Sequence, residues 1–458
     1  MTHCIIGAGF SGLPIAKRLL ELGQEIEVLD QNSGVGGLWH TGVYRDAHLI
    51  SSRLSTQFPD FPMPESYPDF PSKQQMQLYF KQYADHFGIT PHIRFESLVT
   101  GVTPLTNGKE PSLWEVELAS GEKRRYKTVT IASGHNWSPN IVRHPGHFNG
   151  DIMQSDEYYD ASSFKNRRVL IVGYGNTGCD LAVDASREGA CSDISMRSGN
   201  YFFPKMFMGI PVSDLLAKTP VKAEWLERLV ARFISYLAVG DLRRYGMPRP
   251  SHRILDRHPI VNTDLVHAIR HGKIKPRADI QCFEGDKVRF VDGTSETYDL
   301  VVYCTGYKLS LPMLSNSDNI LPVDNEHPKL FLRTMSPDYR GIFFAGIGQA
   351  RTGGGPLYQE GGYAIARLAA LDVSSTTPIQ QQLSQHWMVM YAVMFMGLKL
   401  VEAADLSSKS LHFYLRNLRD LNRILNRLGA PKPPSATGKA KDMTPEYMLN
   451  HPHTAGGL

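Results

Sequence analysis

The start of the chain has the hydrophobic pattern of a strand, a helix and a second strand. A short run at His3–Ile6 precedes a turn, Leu13–Leu22 carries apolar residues at helical spacing, and Glu25–Asp30 is a second run that ends on an acidic residue. Short apolar runs on both sides of a helical segment are typical of parallel strands in an α/β protein. The same pattern recurs once, with its strand, helix and strand at Arg168–Val172, Cys179–Glu188 and Cys191–Met196.

The pattern of the remaining chain completes two α/β domains. Further elements are predicted as strands at Ile93–Phe95, Leu113–Leu118, Tyr126–Ile131, Asp299–Tyr307 and Gly341–Gly348, a hairpin at Val288–Thr294, and helices at Gln74–Phe87 and within residues 201–260. The last two strands end in glycine turns and resemble strands that return to the first domain. We therefore predict a first domain at residues 1–160 that continues at 296–430, a second domain inserted at 161–295, and a tail at 431–458.

Three glycines with the spacing G-x-G-x-x-G occupy the first turn. Gly7 permits the tight turn, Gly9 lets a pyrophosphate approach the backbone, and Gly12 lets the helix pack closely on the strand. The phosphates then lie at a helix N-terminus, where free N–H groups and the helix dipole favour anions. Asp30 is placed to accept hydrogen bonds from a ribose 2′-OH. This arrangement predicts a Rossmann-like dinucleotide site, whose neighbouring candidates are Phe10, Ser11 and Gln31.

A glycine-rich loop that contains a tryptophan follows Asp30. Its candidate cofactor-binding residues are Gly37, Leu38, Trp39 and His40. Backbone in such a loop runs close to something large and flat, and an isoalloxazine ring fits that description. Local packing around the tryptophan is the alternative interpretation.

The second turn repeats the glycine spacing, with Gly173, Gly175 and Gly178 as its glycines and Asn176 and Thr177 between them. At the position equivalent to Asp30 stands Arg197, followed by Ser198. An acidic residue there selects an unphosphorylated ribose, whereas an arginine accommodates a 2′-phosphate. The first site is therefore predicted to bind FAD and the second to bind NADPH. A surface arginine that contacts no ligand is the alternative interpretation of Arg197.

Composition narrows the possible functions and partners. The formal net charge of +4 over 458 residues indicates no basic face for nucleic acid. The five cysteines include no C-x-x-C pair, which argues against a zinc site or a secreted disulfide framework and favours the cytoplasm. The first motif begins at residue 3, which leaves no room for a signal peptide, and the apolar run Trp387–Leu398 is too short to span a bilayer. An exposed apolar patch on residues 201–240 would suggest a homodimer.

These motifs together resemble the flavin-containing monooxygenases, the class B flavoproteins that use FAD and NADPH. The two glycine motifs match in order, as do the GGLW loop at Gly36–Trp39, the FPDFPMP stretch at Phe58–Pro64 and the DLVVYCTGY strand at Asp299–Tyr307. The resemblance covers roughly residues 3–420. It implies an α/β fold with two Rossmann-like domains, the NADPH domain inserted into the FAD domain, and further cofactor contacts at Thr305, Gly306, Gly346 and Gln349.

Two positions depart from the family pattern. The signature F-x-G-x-x-x-H-x-x-x-(Y/F) is present at Phe148–Tyr158, but Gln154 stands at its histidine, and glutamine cannot titrate. Many members carry an asparagine ten residues before Asp60, where this chain has Ile50. An apolar group cannot hydrogen-bond a flavin hydroperoxide, which puts generic oxidation of amines and sulfides in doubt. The plant auxin-forming members also lack this asparagine, so its loss does not imply inactivity.

The resemblance implies that NADPH reduces FAD, that reduced flavin and O2 form a C4a-(hydro)peroxide, and that one oxygen atom passes to a small organic substrate. The candidate catalytic residues are Ile50, Gln57 and Gln154, with a structural hydrogen bond as the alternative role for the glutamines. Two other functions stay open. One is an NADPH oxidase or flavin reductase that releases H2O2, and the other is a non-enzymatic redox-sensing flavoprotein. No metal-ligand cluster is evident in the sequence.

Overall fold

A computed structural model of the protein describes residues 2–105, 113–218, 224–314, 320, 323–324, 327–350, 352–387, 389–390, 400–403, 408–409 and 411–432. Most of the apolar run Trp387–Leu398, and nearly all of the tail predicted at 431–458, lie outside these residues. Within the described residues, no helix combines the length and the apolar character needed to cross a bilayer.

The helices are α1 (Gly12–Glu21), α2 (Arg53–Thr56), α3 (Lys73–His86), α4 (Asn176–Glu188), α5 (Val212–Lys218), α6 (Glu224–Val239), α7 (Asp264–Arg270), α8 (Gly355–Ser374), α9 (Ile379–Gln385) and α10 (Leu411–Arg427). The strands are β1 (His3–Ile6), β2 (Ile26–Leu29), β3 (Ile93–Arg94), β4 (Val99–Pro104), β5 (Trp114–Leu118), β6 (Lys123–Tyr126), β7 (Thr128–Ile131), β8 (Ser138–Pro139), β9 (Gly146–Phe148), β10 (Asp151–Gln154), β11 (Arg168–Val172), β12 (Cys191–Ser195), β13 (Phe202–Phe203), β14 (Met206–Phe207), β15 (Ile210–Pro211), β16 (Ile260–Val261), β17 (Ile274–Arg277), β18 (Ile280–Gly285), β19 (Lys287–Phe290), β20 (Ser295–Thr297), β21 (Leu300–Tyr303), β22 (Tyr307–Lys308), β23 (Val323–Asp324), β24 (His327–Phe331), β25 (Ile342–Phe344), β26 (Gln349–Ala350), β27 (Val401–Ala403) and β28 (Ser408–Lys409).

The chain forms two compact units. Unit 1 comprises Met1–Thr41, Arg53–His135 and Leu309–Leu458, and unit 2 comprises Gly42–Ser52 and Asn136–Lys308. The sequence places its domain boundaries near residues 160, 295 and 430 and does not anticipate that residues 42–52 belong to unit 2. The assignment of an FAD domain and an inserted NADPH domain to these units stays a prediction.

Unit 1 is built on a parallel sheet with the strand order β25-β7-β1-β2-β3. Every residue of β1, β2 and β7 is buried, including polar ones. Two of the buried polar side chains are paired across β1 and β7, since His3 Nδ1 lies 2.6 Å from Thr128 Oγ1. Helix α1 packs against α8 at a close crossing, where a Cβ on Gly362 would lie 2.9 Å from the Cβ of Pro14.

Unit 2 contains a second parallel sheet, with the order β10-β21-β11-β12-β17. In both sheets the strand before the glycine turn (β1 or β11) lies between the next strand in sequence (β2 or β12) and a much later strand (β7 or β21). Helix α4 contributes Leu181 and Ala185 to the core beneath this sheet. The repeated sequence pattern is therefore a repeated topology, as the α/β prediction requires.

Two predicted strands differ from the structure. The strand at Leu300–Tyr303 was expected to return to the first domain, but β21 pairs with β10 and β11 in unit 2, so that prediction is wrong. The other returning strand, β25, pairs with β7 in unit 1 as predicted. The single strand predicted at Tyr126–Ile131 is divided, because Tyr126 ends β6 of the antiparallel sheet and Thr128 begins β7 of the parallel one.

Candidate functional site

The first glycine turn is shaped by close backbone approaches. Gly7 has φ +112°, and a Cβ there would lie 2.5 Å from the carbonyl oxygen of Ala132, at the end of β7. A Cβ on Gly12 would lie 1.9 Å from the Gly7 oxygen. Any side chain at these two positions would force the strand and the helix apart. The N-terminus of α1, whose first amides have no intrahelical acceptor, consequently lies directly after β1.

Asp30 lies directly after β2 and is almost fully buried. Its Oδ2 accepts from the Ala8 amide at 2.6 Å, and its Oδ1 accepts from the Asn32 amide at 2.8 Å. Burial raises the pKa of Asp30, and these amide hydrogen bonds oppose that rise. Because each carboxylate oxygen can accept more than one hydrogen bond, Asp30 retains acceptor capacity for a ribose hydroxyl.

The GGLW loop is packed against the first turn. A Cβ on Gly37 would lie 3.2 Å from Gly9 Cα, and the Gly36 amide donates to the Ala8 oxygen at 3.0 Å. The short 3-10 helix Gly37–Trp39 contains the half-buried side chains of Leu38 and Trp39. The structure thus brings three predicted parts of the first site together, namely the glycine turn, Asp30 and this loop. Gln31, by contrast, is exposed.

Gly346 also lies beside the first turn. Its φ is +74°, and a Cβ there would lie 2.7 Å from Ser11 Oγ. The Gly346 oxygen is 2.8 Å from His135 Nδ1, and burial lowers the pKa of this histidine. Gln349, three residues later, begins β26. Of these two predicted contacts, the structure therefore places Gly346 next to the turn.

Three other predicted residues of unit 1 have structural partners. Phe10 belongs to an aromatic cluster, with its ring centroid 5.1 Å from those of Phe58 and Phe80. His40 Nδ1 lies 2.8 Å from Gln77 Nε2. Gln57 Oε1 accepts from the Met63 amide at 3.0 Å. For Gln57 this contact is the structural hydrogen bond that the sequence left open, and His40 has a structural partner as well.

The second glycine turn repeats the geometry of the first within unit 2. Gly173 has φ +93°, with a would-be Cβ 2.6 Å from the Cys304 oxygen at the end of β21, and a Cβ on Gly178 would lie 2.2 Å from the Gly173 oxygen. Gly175 differs, because a Cβ there would meet no atom within 4 Å. Asn176 Oδ1 accepts from the Val261 amide at 2.9 Å. Open space at Gly175, beside the half-buried Thr177 at the start of α4, leaves room for a pyrophosphate.

Arg197 and Ser198 lie just beyond the carboxyl end of β12. The Arg197 side chain is exposed, and the Ser198 carbonyl accepts a hydrogen bond from the hydroxyl of Tyr174, which stands inside the glycine turn. The turn and the loop after β12 are therefore joined at the edge where parallel sheets bind nucleotides. Tyr174 has no counterpart in the motif, and sequence reasoning missed it.

The other predicted residues also belong to unit 2, and Thr305 lies beside the second glycine turn, because a Cβ on Gly173 would lie 3.6 Å from its amide nitrogen. Thr305 and Gly306 follow β21, where Thr305 Oγ1 donates to the Asn140 oxygen at 2.7 Å. The half-buried Gln154 ends β10, and its backbone N–H donates to Glu157 Oε2 at 2.7 Å. Ile50 is half-buried in the segment 42–52. No hydrogen bond among the described residues joins Ile50, Gln154 and Thr305 to one another.

Hydrogen bonds that the sequence pattern does not predict connect the segment 42–52 to α4. The Tyr44 hydroxyl donates to Asp180 Oδ2 at 2.6 Å, and Asn262 Nδ2 donates to Asp180 Oδ1 at 2.7 Å. Burial raises the pKa of Asp180, and the Tyr44 hydrogen bond opposes the rise. At the other end of the segment, Ser52 Oγ is hydrogen-bonded to Asp214. The position of Ile50 is consequently set by unit 2.

Both turns fit dinucleotides on their own geometry. Each combines a helix N-terminus with a charged side chain. In the first turn this is a carboxylate, which suits a ribose hydroxyl, and in the second a guanidinium, which suits a ribose 2′-phosphate. Among the residues that the structure describes, no group of histidine, cysteine and acidic side chains could hold a metal ion. The two parallel sheets and their glycine turns therefore define the class of protein as an α/β protein with two candidate dinucleotide sites.

Comparison with known proteins assigns the family. The model of the family described as flavin-binding monooxygenase-like matches residues 2–359, and the chain belongs to this family. The chain is 29% identical over 403 residues to indole-3-pyruvate monooxygenase YUCCA8 of Oryza sativa, covering 82% of this chain and 92% of that protein. It is 29% identical over 356 residues to human flavin-containing monooxygenase 3, covering 73% of this chain and 66% of that protein.

Solved structures agree in fold. An open crystal structure of cyclohexanone monooxygenase has a TM-score of 0.67 at 17% identity and covers 94% of this chain and 97% of that one. S-allyl-L-cysteine S-oxygenase from Allium sativum has a TM-score of 0.62 at 18% identity, covering 98% and 97%. With the family established, the protein is an FAD- and NADPH-dependent monooxygenase that uses O2 and a small-molecule substrate.

Proposed function

We propose that unit 1 binds FAD at its glycine turn, that unit 2 binds NADPH at its own, and that the NADPH-binding part is inserted in the FAD-binding part. The observation that supports this proposal is that two equivalent glycine turns are accompanied by side chains of opposite charge, Asp30 after β2 and Arg197 after β12. A carboxylate accepts hydrogen bonds from an unphosphorylated ribose, whereas a guanidinium pairs with a 2′-phosphate.

The chain's own residues act mainly by binding and orientation. Bound FAD supplies the redox and oxygen chemistry. The α1 and α4 N-termini would hold the two pyrophosphates and the half-buried Trp39 loop would face the flavin, while Gly346 and Ser11 border the first turn. Ile50 offers no hydrogen bond to the reacting group. Gln154 can hold a hydrogen bond but cannot move a proton by titration.

We propose a carbonyl compound as the substrate class. The support is twofold: the apolar Ile50 disfavours the amine and sulfide oxidation associated with an asparagine there, and the relative named for indole-3-pyruvate aligns over most of both chains. A 2-oxo acid is therefore the first substrate to test, with dimethylaniline as the amine from another relative's name.

NADPH consumption with and without each compound, with H2O2 measured alongside, tests the function. A monooxygenase substrate should lower the peroxide released per NADPH and yield an oxygenated product labelled from 18O2. If peroxide accounts for all NADPH consumed with every compound, the oxidase alternative replaces this proposal. A product from dimethylaniline but not from 2-oxo acids would overturn the substrate class alone.

Two substitutions test the residue assignments. Arg197→Ala should raise the KM for NADPH far more than that for NADH, and equal effects on both would remove the 2′-phosphate assignment. Ile50→Asn should change the fraction of NADPH electrons released as H2O2. An unchanged fraction would show that residue 50 is not near the reacting group.

We also propose a homodimer and keep the cytoplasm as its predicted location. Helix α6 exposes an apolar face, on which Trp225, Phe233 and Tyr236 are 61–68% exposed and Leu229 and Leu237 are 58% and 56% exposed. Three such rings offer roughly 400 Å² of aromatic surface. A stable interface buries about 800 Å² per partner, so this face would form the apolar centre of a symmetric contact.

A further inference from the structure

A two-residue turn closes the short hairpin formed by β14 and β15 in unit 2. The antiparallel strands pair up to Phe207 and Ile210, so Met208 and Gly209 form the turn. Both turn residues have positive φ, +51° for Met208 and +78° for Gly209. Turns of this kind favour the dipeptide Asn-Gly, because asparagine and glycine tolerate positive φ better than a long apolar side chain does. The backbone of the hairpin therefore does not explain why residue 208 is a methionine.

Packing within the chain does not explain the methionine either. The Met208 side chain is 87% exposed, and its neighbours Met206 and Ile210 are 38% and 43% exposed. Together the three side chains expose roughly 300 Å² of apolar surface, a size at which a patch on a monomer is often functional. A stable protein interface buries about 800 Å² per partner, so the area of this patch matches a small molecule rather than another protein.

The hairpin is separate from the exposed face of α6. Phe207 packs against the hydrophobic cluster that contains the buried residues Ala231 and Ile234 of that helix. The exposed rings of α6, such as Trp225 and Phe233, lie on the opposite side of the helix at its spacing of 3.6 residues per turn. The homodimer contact proposed above therefore uses a different side of α6 from the one that supports the hairpin.

Both ends of the hairpin are hydrogen-bonded to the segment that contains Ile50. On the N-terminal side, Lys205 Nζ donates to His48 Nε2. On the C-terminal side, the backbone N–H of Ser52 donates to Ser213 Oγ at 2.9 Å. Because these two attachment points immediately flank Ile50 along the chain, the base of the hairpin lies alongside this residue.

We propose that the hairpin at residues 206–211 contacts the apolar part of the substrate, and that Met208 is a specificity-determining residue for the size of that part. The inference rests on the proposed function, in which Ile50 lies near the reacting group. The half-buried Ile50 adds a further apolar side chain beside the hairpin base. The matching ligand is a carbonyl compound with an apolar chain or ring, and the flexible thioether of a methionine adapts to either shape.

Two series of compounds test this with the FAD-loaded, full-length protein. Pyruvate, 2-oxohexanoate and indole-3-pyruvate form the first series, and N,N-dimethylaniline and N,N-dibutylaniline form the second, so that each series keeps its reacting group and enlarges its apolar part. The measured quantity is the size preference, the ratio of kcat/KM for oxygenated product between the largest and the smallest member. Met208→Asn should lower this ratio about tenfold, the effect of losing part of the burial of a methionine side chain.

The variant Met208→Asn is chosen because asparagine suits the turn. Its midpoint of urea unfolding should equal or exceed that of the wild type, and its Kd for NADP+ should be unchanged. Met208→Leu keeps an apolar side chain and should retain most of the size preference. Val291→Asn is the matched control, since Val291 is 62% exposed directly after β19 in the same unit, and it should keep the wild-type preference.

The outcomes separate this inference from the proposed function. If Met208→Asn keeps the wild-type size preference, or if Val291→Asn loses as much of it, the role of the hairpin is refuted while the monooxygenase function stands. If the wild type oxygenates only the anilines, the proposed substrate class fails, and the aniline series then decides the role of the hairpin. If Met208→Asn changes the molecular mass measured by light scattering, the hairpin belongs to a protein contact and the proposal is overturned. If neither series is oxygenated, both proposals fail.

Discussion

The glycines of the two turns fall into two physical classes. Gly178 is required by packing, because a Cβ there would lie 2.2 Å from the Gly173 oxygen. Gly175 is not crowded by protein, since a Cβ there would meet nothing within 4 Å, and its φ of −64° is open to any residue. Within the G-x-G-x-x-G spacing, one glycine is therefore required by packing inside the protein and another by the approach of the ligand.

Gly178→Ala and Gly175→Ala should separate these demands. We expect Gly178→Ala to lower the free energy of unfolding by about 1–3 kcal/mol, the usual cost of overpacking. Gly175→Ala should change stability by less than about 0.5 kcal/mol and weaken NADP+ binding, because only the ligand approaches it. Urea unfolding without NADP+ and titration with NADP+ measure the two effects. Equal losses of stability in both variants would contradict the distinction.

His3 makes the stability of unit 1 depend on pH. Burial in β1 lowers the pKa of His3 to about 4, from an ordinary value of 6.5. Between these values the unfolded chain binds a proton that the folded chain does not, so stability falls as the pH decreases from 6.5 to 4. The full shift corresponds to roughly 3 kcal/mol.

His3→Asn should flatten this part of the stability profile. The melting temperature of the wild type should fall more steeply below pH 6.5 than that of His3→Asn, whatever the variant's stability at neutral pH. His147→Asn is the control, because that histidine is exposed on β9. Parallel profiles for the wild type and His3→Asn would show that another group governs the slope.

At the scale of elements, local pattern accounts for the strands and helices around both turns. The helix predicted at Leu13–Leu22 is observed at Gly12–Glu21, and that predicted at Gln74–Phe87 is observed at Lys73–His86. The Ser72 side chain and Gln75 form a capping box at the second helix, which explains its sharp start. Local pattern does not predict which sheet a strand joins. Strands β21 and β25 both end in glycine turns, yet they pair in different sheets.

The parts of the candidate site that the motifs do not predict are formed by contacts between residues that are distant in sequence. The spacing of the glycines locates Arg197, but no local signal links residue 199 to residue 250, or Tyr44 to Asp180. Such pairs form because insertions fold back onto the sheet edge, and only the packed chain specifies where they meet. The sequence likewise does not tell which aromatic residues of 201–240 are exposed, and in the structure Trp225, Phe233 and Tyr236 are.

Helix α6 gives a test of association at the element scale. Leu237→Glu places a charge on its apolar face, and we expect it to convert a dimer into a monomer, because an unpaired charge is costly in an interface centre. Light scattering after size-exclusion chromatography measures the mass. Leu78→Glu is the control, since Leu78 is 48% exposed on α3 of unit 1. A wild type that is monomeric at high concentration would refute the dimer directly.

At the scale of the whole molecule, the chain enters unit 2 twice. It does so at Gly42–Ser52 and again at Asn136–Lys308, each time returning to unit 1. The short first segment, residues 42–52, contains Ile50 and is held in place by the hydrogen bonds of Tyr44 and Ser52. Ile50, which departs from the family pattern, therefore belongs to the unit proposed to bind NADPH. A ligand that binds one unit should therefore change hydrogen exchange in the chain segments that belong to that unit.

Hydrogen exchange of the FAD-loaded protein with adenosine 2′,5′-bisphosphate should reveal the assignment of the units. The ligand lacks the nicotinamide, so protection should be confined to the second glycine turn and the loop at 196–200, because bound ligand suppresses local opening. Exchange in the first turn, at residues 7–12, should stay unchanged. Removal of FAD should instead increase exchange there and in the loop at 36–40. Protection of residues 7–12 by the bisphosphate would reverse the assignment, since Asp30 rather than Arg197 would then lie at the phosphorylated ribose.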